Sequence, residues 1–275
     1  MTRRWVPRPS LAPGGGLATG WLLWTLAAGG LAVLGFPLAA LVARVRWAQA
    51  PRLLTEPAAI EALRLSLVTS GAAVAGALVL GVPLAWILAR ARLPGRGLLQ
   101  ALVLLPMVLP PVVAGVGLLA AFGRSGALGA ALQALGIRLP FTTAGAALAQ
   151  AVVAAPFLII SAQAGFASSD RGVEDAAATL GASRWLIWRA VTLPAVAPSL
   201  LGGIALCWAR ALGEFGATIT FAGSLRGRTQ TLPLAVHELL QTDPDAAFAV
   251  SALLLAVSLV LIVPLGARLV VSARR

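Results

Sequence analysis

Few side chains in this 275-residue chain could do chemistry, and most of them fall in two places. The first is CWARALGEFGATITFAGS, which begins at Cys207. Arg210 and Glu214 are four apart and Thr218 follows four later, the spacing of one helical face. All three interrupt an apolar run over 195–222. Ionisable groups at such depth are costly, and they face a bundle interior or a water-filled cavity. Two readings stay open. Arg210 and Glu214 could form a pair that only fixes helix packing. Alternatively, the three residues line a solute path near its outer gate. The arginine then offsets charge on a passing dianion, and the glutamate keeps the ion from being trapped. The second place is the polar segment SSDRGVEDAAATLGASRWLIWRAVTLPAV, which begins at Ser168.

Elsewhere the chemical repertoire is thin. A single cysteine, Cys207, excludes an intrachain disulfide, and a single histidine, His237, leaves little for imidazole catalysis or metal chelation. No cofactor or metal is expected. All 21 basic residues are arginine, so no phosphate-binding loop with its Gly-Lys pair is present. If ATP powers this protein, another subunit must bind it. Nine acidic residues without a cluster argue against an enzyme.

These residues must be positioned by apolar elements. The chain is 59% hydrophobic, only 11% charged, and has a mean hydropathy of +0.93; soluble domains carry about 25% charged residues. Lipid is the medium that accepts the excess. Six runs are long enough to span a bilayer, near 21–43, 63–89, 98–122, 141–166, 195–222 and 246–269. In lipid each must be helical to satisfy its own backbone, and the absence of alternation excludes a barrel. Membrane lipid is therefore a partner. The net charge of +12 does not imply nucleic acid, because the arginines sit singly or in pairs between apolar runs. With the N-terminus in the cytoplasm, twelve arginines fall on that side and eight outside, with Arg210 inside a span. That bias favours both termini inside. The uncharged run over 17–43 is too long for a signal-peptide core and reads as a retained span. Prolines 83, 106, 110, 111 and 156 interrupt the second, third and fourth runs, and kinks of that kind are compatible with a solute path or an ordinary bundle. Between the last two runs, TQTLPLAVHELLQTDPD reads as an outer loop with a short helix.

The segment from Ser168 predicts a pair of short helices. Ser169 or Asp170 can cap the first, and Glu174 and Asp175 suit its positive end. Ala176, Ala177 and Ala178 favour helix and add almost no bulk. Gly181 stands where a helix ends, and Ser183 can cap a second helix carrying Trp185 and Trp188. A small-residue face of this kind can lie in another protein's groove, or along a membrane surface.

The order is an acid, Ala-Ala, three residues, Gly, nine residues, an aliphatic residue, one more, then Leu-Pro. Here that is Asp175-Ala176-Ala177, Gly181, Val191 and Leu193-Pro194. It resembles the EAA motif of ABC importer permeases, with Asp175 where the family has Glu and Glu174 one position earlier. The resemblance implies that Glu174, Asp175, Ala176, Ala177 and Gly181 belong to a cytoplasmic coupling helix that docks on an ATP-binding subunit. Either carboxylate could make the rim contact. ARALGEFGATITFAG followed by RTQTLPLAV, with LPMVLPPVVAG, is similar to the molybdate branch of that family over most of 60–269.

What the resemblance implies is an all-α membrane protein with a six-helix permease bundle. Its solute is molybdate, with tungstate and sulfate or thiosulfate as alternatives. The implied assembly is a permease homodimer, two ABC ATPase subunits and an external oxyanion-binding protein, working by alternating access. It also implies a division into a cytoplasmic tail (1–20), an extra first span with its outer loop (21–59), the permease domain (60–270, with the coupling loop at 168–195) and a short cytoplasmic tail (271–275). The alternative outside the family is a channel or secondary transporter that needs no ATPase.

Overall fold

The computed structural model describes residues 17–272, with side chains over 21–263. The proposed tails at 1–20 and 271–275 lie almost wholly outside the described residues. All the regular structure described is helical: α1 (Leu17–Arg44), α2 (Ala50–Leu54), α3 (Pro57–Arg90), α4 (Arg96–Val108), α5 (Pro111–Phe122), α6 (Gly129–Ala134), α7 (Thr143–Ser168), α8 (Arg171–Thr179), α9 (Arg184–Ile187), a π-helical turn (Trp188–Thr192), α10 (Leu193–Leu212), α11 (Gly216–Ala222), α12 (Leu232–Thr242) and α13 (Pro244–Ser272). The chain forms two units, one ending at Val45 that contains α1, and one from Arg46 onward that contains everything else. α1 is uncharged up to its last residue, Arg44, and long enough to cross a bilayer by itself.

The centre of the second unit is a three-helix contact among α3, α7 and α10. One buried cluster joins Ala73, Val74 and Ala77 to Ala154 and Leu158 and to Cys207 and Ala211. A second joins Ala85 and Leu88 to Ile159, Ala162 and Phe166 and to Val196. Read in order, these pairings make α3 and α7 parallel and α10 antiparallel to both. The residues at the contact are small, which lets the backbones approach closely. A Cβ at Gly165 would fall 2.7 Å from that of Ser199, and one at Gly203 would fall 2.8 Å from that of Ser161. α11 packs on α5 and α7 through Leu118, Ala149, Val153, Ala217 and Phe221. α12 packs inward through Leu232 and Ala235 onto Ala62 and Val250, so the segment after the fifth run is part of the bundle wall. Two hydrogen bonds reinforce these contacts, from the Trp208 indole to Ser70 (2.9 Å) and from the Leu232 N–H to the Ser66 hydroxyl (2.7 Å).

Five described helices are long and apolar enough to span a membrane, and α4 with α5 supplies a sixth if that pair counts as one span. Two expected continuous spans are broken. α4 and α5 are bent by 118°. Pro110 and Pro111 lack N–H donors and force the preceding residues out of helical geometry; Leu109 and Pro110 both have ψ near 135° (137° and 133°). By contrast Pro83, Pro106 and Pro156 stay inside their helices. The fifth expected span stops at Leu212, and a three-residue break leads into the separate helix α11.

Candidate functional site

α8 begins just beyond the end of α7, and its caps are those its residue types demand. The Asp170 carboxylate accepts the Gly172 N–H at 2.8 Å. At the other end the Gly181 N–H reaches the Ala178 carbonyl and the Ala182 N–H the Ala177 carbonyl, the paired bonds of a Schellman stop. That stop requires a left-handed residue, and Gly181 has φ of 86°. Ser183 then caps α9 by accepting the Leu186 N–H. Trp185 stacks on Trp188 with ring centroids 5.7 Å apart. The turn from α8 to α9 is thus fixed at both ends.

The two adjacent acids have different surroundings. Glu174 is turned back toward the bundle. Its Oε1 accepts from the Arg90 guanidinium (3.0 Å) at the end of α3 and from the Thr192 hydroxyl (2.9 Å) in the π turn. Arg171 adds a bond to the Arg90 carbonyl, and Arg90 one to the Ser169 carbonyl. These contacts latch α8 to α3 and to the root of α10. Asp175 is exposed, and its carboxylate makes no hydrogen bond or ion pair among the described residues. Ala176 and Ala178 are exposed beside it and Ala177 is half-buried. Val173, Leu180, Trp185 and Leu186 also present apolar surface, Leu180 at 88% exposure. An apolar strip with an acid at its rim is the form of a docking surface.

The second candidate site is built on the break between α10 and α11. Arg210 and Glu214 form an ion pair, with the glutamate side chain 1% exposed and the arginine 29%. They do not share a continuous helical face, because α10 has already ended at Leu212. The other Glu214 oxygen accepts the Ala217 N–H at 2.9 Å and holds the first turn of α11 in place. Thr218 is one residue further on, in the new helix, fully buried. Among the described residues its hydroxyl has no hydrogen-bond partner, and neither has either amide atom of the fully buried Gln150 on α7. Gln150 lies one turn before Ala154, which packs near Ala211. The break therefore holds a buried ion pair and a buried hydroxyl that the apolar bundle leaves partly unsatisfied.

Sequence spacing could not reveal the latch, since Arg90 and Glu174 are 84 positions apart. Gln150 was likewise missed. A lone glutamine in an otherwise apolar run, AALAQAVVAA, was the available signal. His237 packs against Phe215 (centroids 4.9 Å) and belongs to no metal-ligand cluster among the described residues.

Comparison with known proteins follows the same lines. The molybdenum transport system permease protein ModB of Mycobacterium bovis is 46% identical over 267 residues, covering 96% of this chain and 94% of that protein. The sulfate transport system permease protein CysT of Escherichia coli is 39% identical over 234 residues, 84% of each chain. Among solved structures, a bacterial ABC transporter involved in the import of the acidic polysaccharide alginate superimposes with a TM-score of 0.70 at 19% identity, covering 92% of this chain and 96% of that one. Residues 81–275 match the family described as binding-protein-dependent transport system inner membrane component. With a bundle of membrane-spanning helices and this match over most of its length, the chain belongs to that family of multi-pass inner-membrane transport components.

Proposed function

We propose that the chain is the membrane-spanning subunit of an ATP-driven importer of molybdate. Two copies would pair in the membrane, two ABC ATPase subunits would dock on their cytoplasmic faces, and an oxyanion-binding protein would deliver the ion from outside. Both termini would then be cytoplasmic. The observation that carries this reading is α8, a helix capped at both ends, latched to the bundle by Glu174, and presenting Asp175 and an alanine face outward. In this reading Asp175, with Ala176, Ala177 and Gly181 behind it, meets the ATPase, while Glu174 transmits the resulting movement to α3 and α10. The Arg210–Glu214 break with Thr218 forms part of the path or its gate, since a buried, incompletely satisfied polar layer suits a hydrated ion and not a packed core. The identity to a molybdenum permease favours molybdate. The somewhat lower identity to a sulfate permease makes sulfate the second reading, and tungstate shares the chemistry of both.

The test is reconstitution. The permease, its ATPase and the binding protein in proteoliposomes should take up molybdate only with ATP inside the ATPase compartment, and excess sulfate should compete weakly. Asp175→Arg and Gly181→Trp should each abolish uptake while the permease still folds, because no atom lies within 4 Å of a Cβ at Gly181 and a side chain on its left-handed backbone costs only about 1–2 kcal/mol. Uptake by the permease alone would instead identify a channel or secondary transporter. Normal uptake by both variants would remove the coupling role from α8.

A further inference from the structure

The end of α7 opposite α8 carries a feature that transport leaves unused. A cavity of about 320 Å³ opens between the end of α5, α6 and the segment leading into α7. Leu119, Phe122, Leu132 and Phe141 supply an apolar wall, and Arg124 and Arg138 stand in the same lining. No acid lines the cavity, and the sequence holds none between Arg96 and Ser168. Neither guanidinium belongs to an ion pair among the described residues, whereas Arg46, Arg90, Arg210 and Arg226 do. The lining is ordered by its own contacts. The Gln133 amide donates to the Arg124 carbonyl (3.3 Å), and Thr142 caps α7.

Depth decides what such a cavity holds. α7 has 26 residues and is about 39 Å long, against a hydrocarbon core of about 30 Å. Its Thr143 end therefore reaches the headgroup layer, and the cavity lies beside that end. Leu128, Leu135 and Phe141 around it are at least half exposed, which suits a boundary with lipid and not open water. A free inorganic oxyanion gains nothing from the apolar wall. A phospholipid has both halves of the required chemistry, a phosphate that the arginine forks hold and acyl carbons that the wall covers.

We infer that this cavity is a binding site for an anionic phospholipid, its phosphate held between Arg124 and Arg138 and the first carbons of its chains against Phe122 and Phe141. Native mass spectrometry of the full-length permease in its assembled transporter, taken from nanodiscs of mixed phosphatidylglycerol and phosphatidylcholine, tests it. The wild type should retain phosphatidylglycerol in preference to phosphatidylcholine. Arg124→Gln with Arg138→Gln should weaken that retention about 30-fold. The double lysine variant should restore part of it, and Arg52→Gln should change nothing. Retention unaltered in the double glutamine variant would overturn the proposal. So would equal thermal protection in detergent by inorganic phosphate and by lysophosphatidylglycerol, which would make this a free-oxyanion site. A double variant that kept its lipid but lost stimulation of ATP hydrolysis by the binding protein would make it a protein-docking surface instead, and would overturn it too.

Discussion

Glu174 and Asp175 are neighbours in sequence, yet the helix turns about 100° between them, so one faces the bundle and the other does not. The consequence is a separation of roles that can be measured. The Arg90 side chain is nearly buried, and its Nε already lacks a partner among the described residues. Glu174→Gln should leave that guanidinium uncompensated and loosen α8 by about 3 kcal/mol, seen as faster amide exchange over 171–182. Asp175→Asn should leave the exchange unchanged and weaken only ATPase capture in a pull-down. Gly181→Ala meets no neighbour but keeps a left-handed backbone, so it should cost about 1 kcal/mol in thermal unfolding. The caps at Asp170, Gly181 and Ser183 were legible because capping depends on residues within four positions. The choice between the two carboxylates was not, because it is made by Arg90 and Thr192, which only the fold brings near.

At the level of elements, the helices were easier to read than their breaks. Apolar runs longer than about 20 residues announce themselves; four long helices lie where the runs are, and the fifth, Arg184–Leu212, starts and ends about ten residues before its run. Pro110-Pro111 signalled an interruption, but not a bend of 118°. The break after Leu212 had a weaker signal, two glycines at 213 and 216 around Glu214, in a stretch otherwise read as one helix. There the carboxylate substitutes for the lost backbone bonds. Glu214→Gln should therefore keep the cap on α11 and lose only the ion pair, while Glu214→Leu should lose both and unfold at a lower temperature. Gln150→Leu should act in the opposite sense. Replacing an amide with no partners by an apolar group of similar size should stabilise the bundle by about 1–2 kcal/mol. A more stable but slower transporter would place Gln150 in the solute path; a more stable transporter of unchanged rate would leave it a packing residue.

For the whole molecule, arginine counts and motif position both predict α8 on the cytoplasmic side and the α5–α7 connection outside. Cys207 is buried and is the sole cysteine, so a Cys207→Ala background can report topology cleanly. Single cysteines placed by Gly181→Cys and Leu135→Cys should react with a membrane-impermeant thiol reagent from opposite faces of sealed vesicles. Labelling of both from one face would invalidate the proposed coupling role. In the proposed pair of permeases a second copy would cover Arg210, whose side chain is 29% exposed in the single chain.

The five-residue π turn at Trp188–Thr192 has one further implication. It inserts a surplus residue into what is otherwise a single rod from Arg184 to Leu212. Were that surplus squeezed out, everything downstream would swing by about 100° and slide by about 1.5 Å. Thr192, which holds Glu174, lies within the turn, and Arg210 lies near the rod's far tip. Under the proposed coupling role, a tug on the latch would become a twist of Arg210, as a cam converts a push into a rotation.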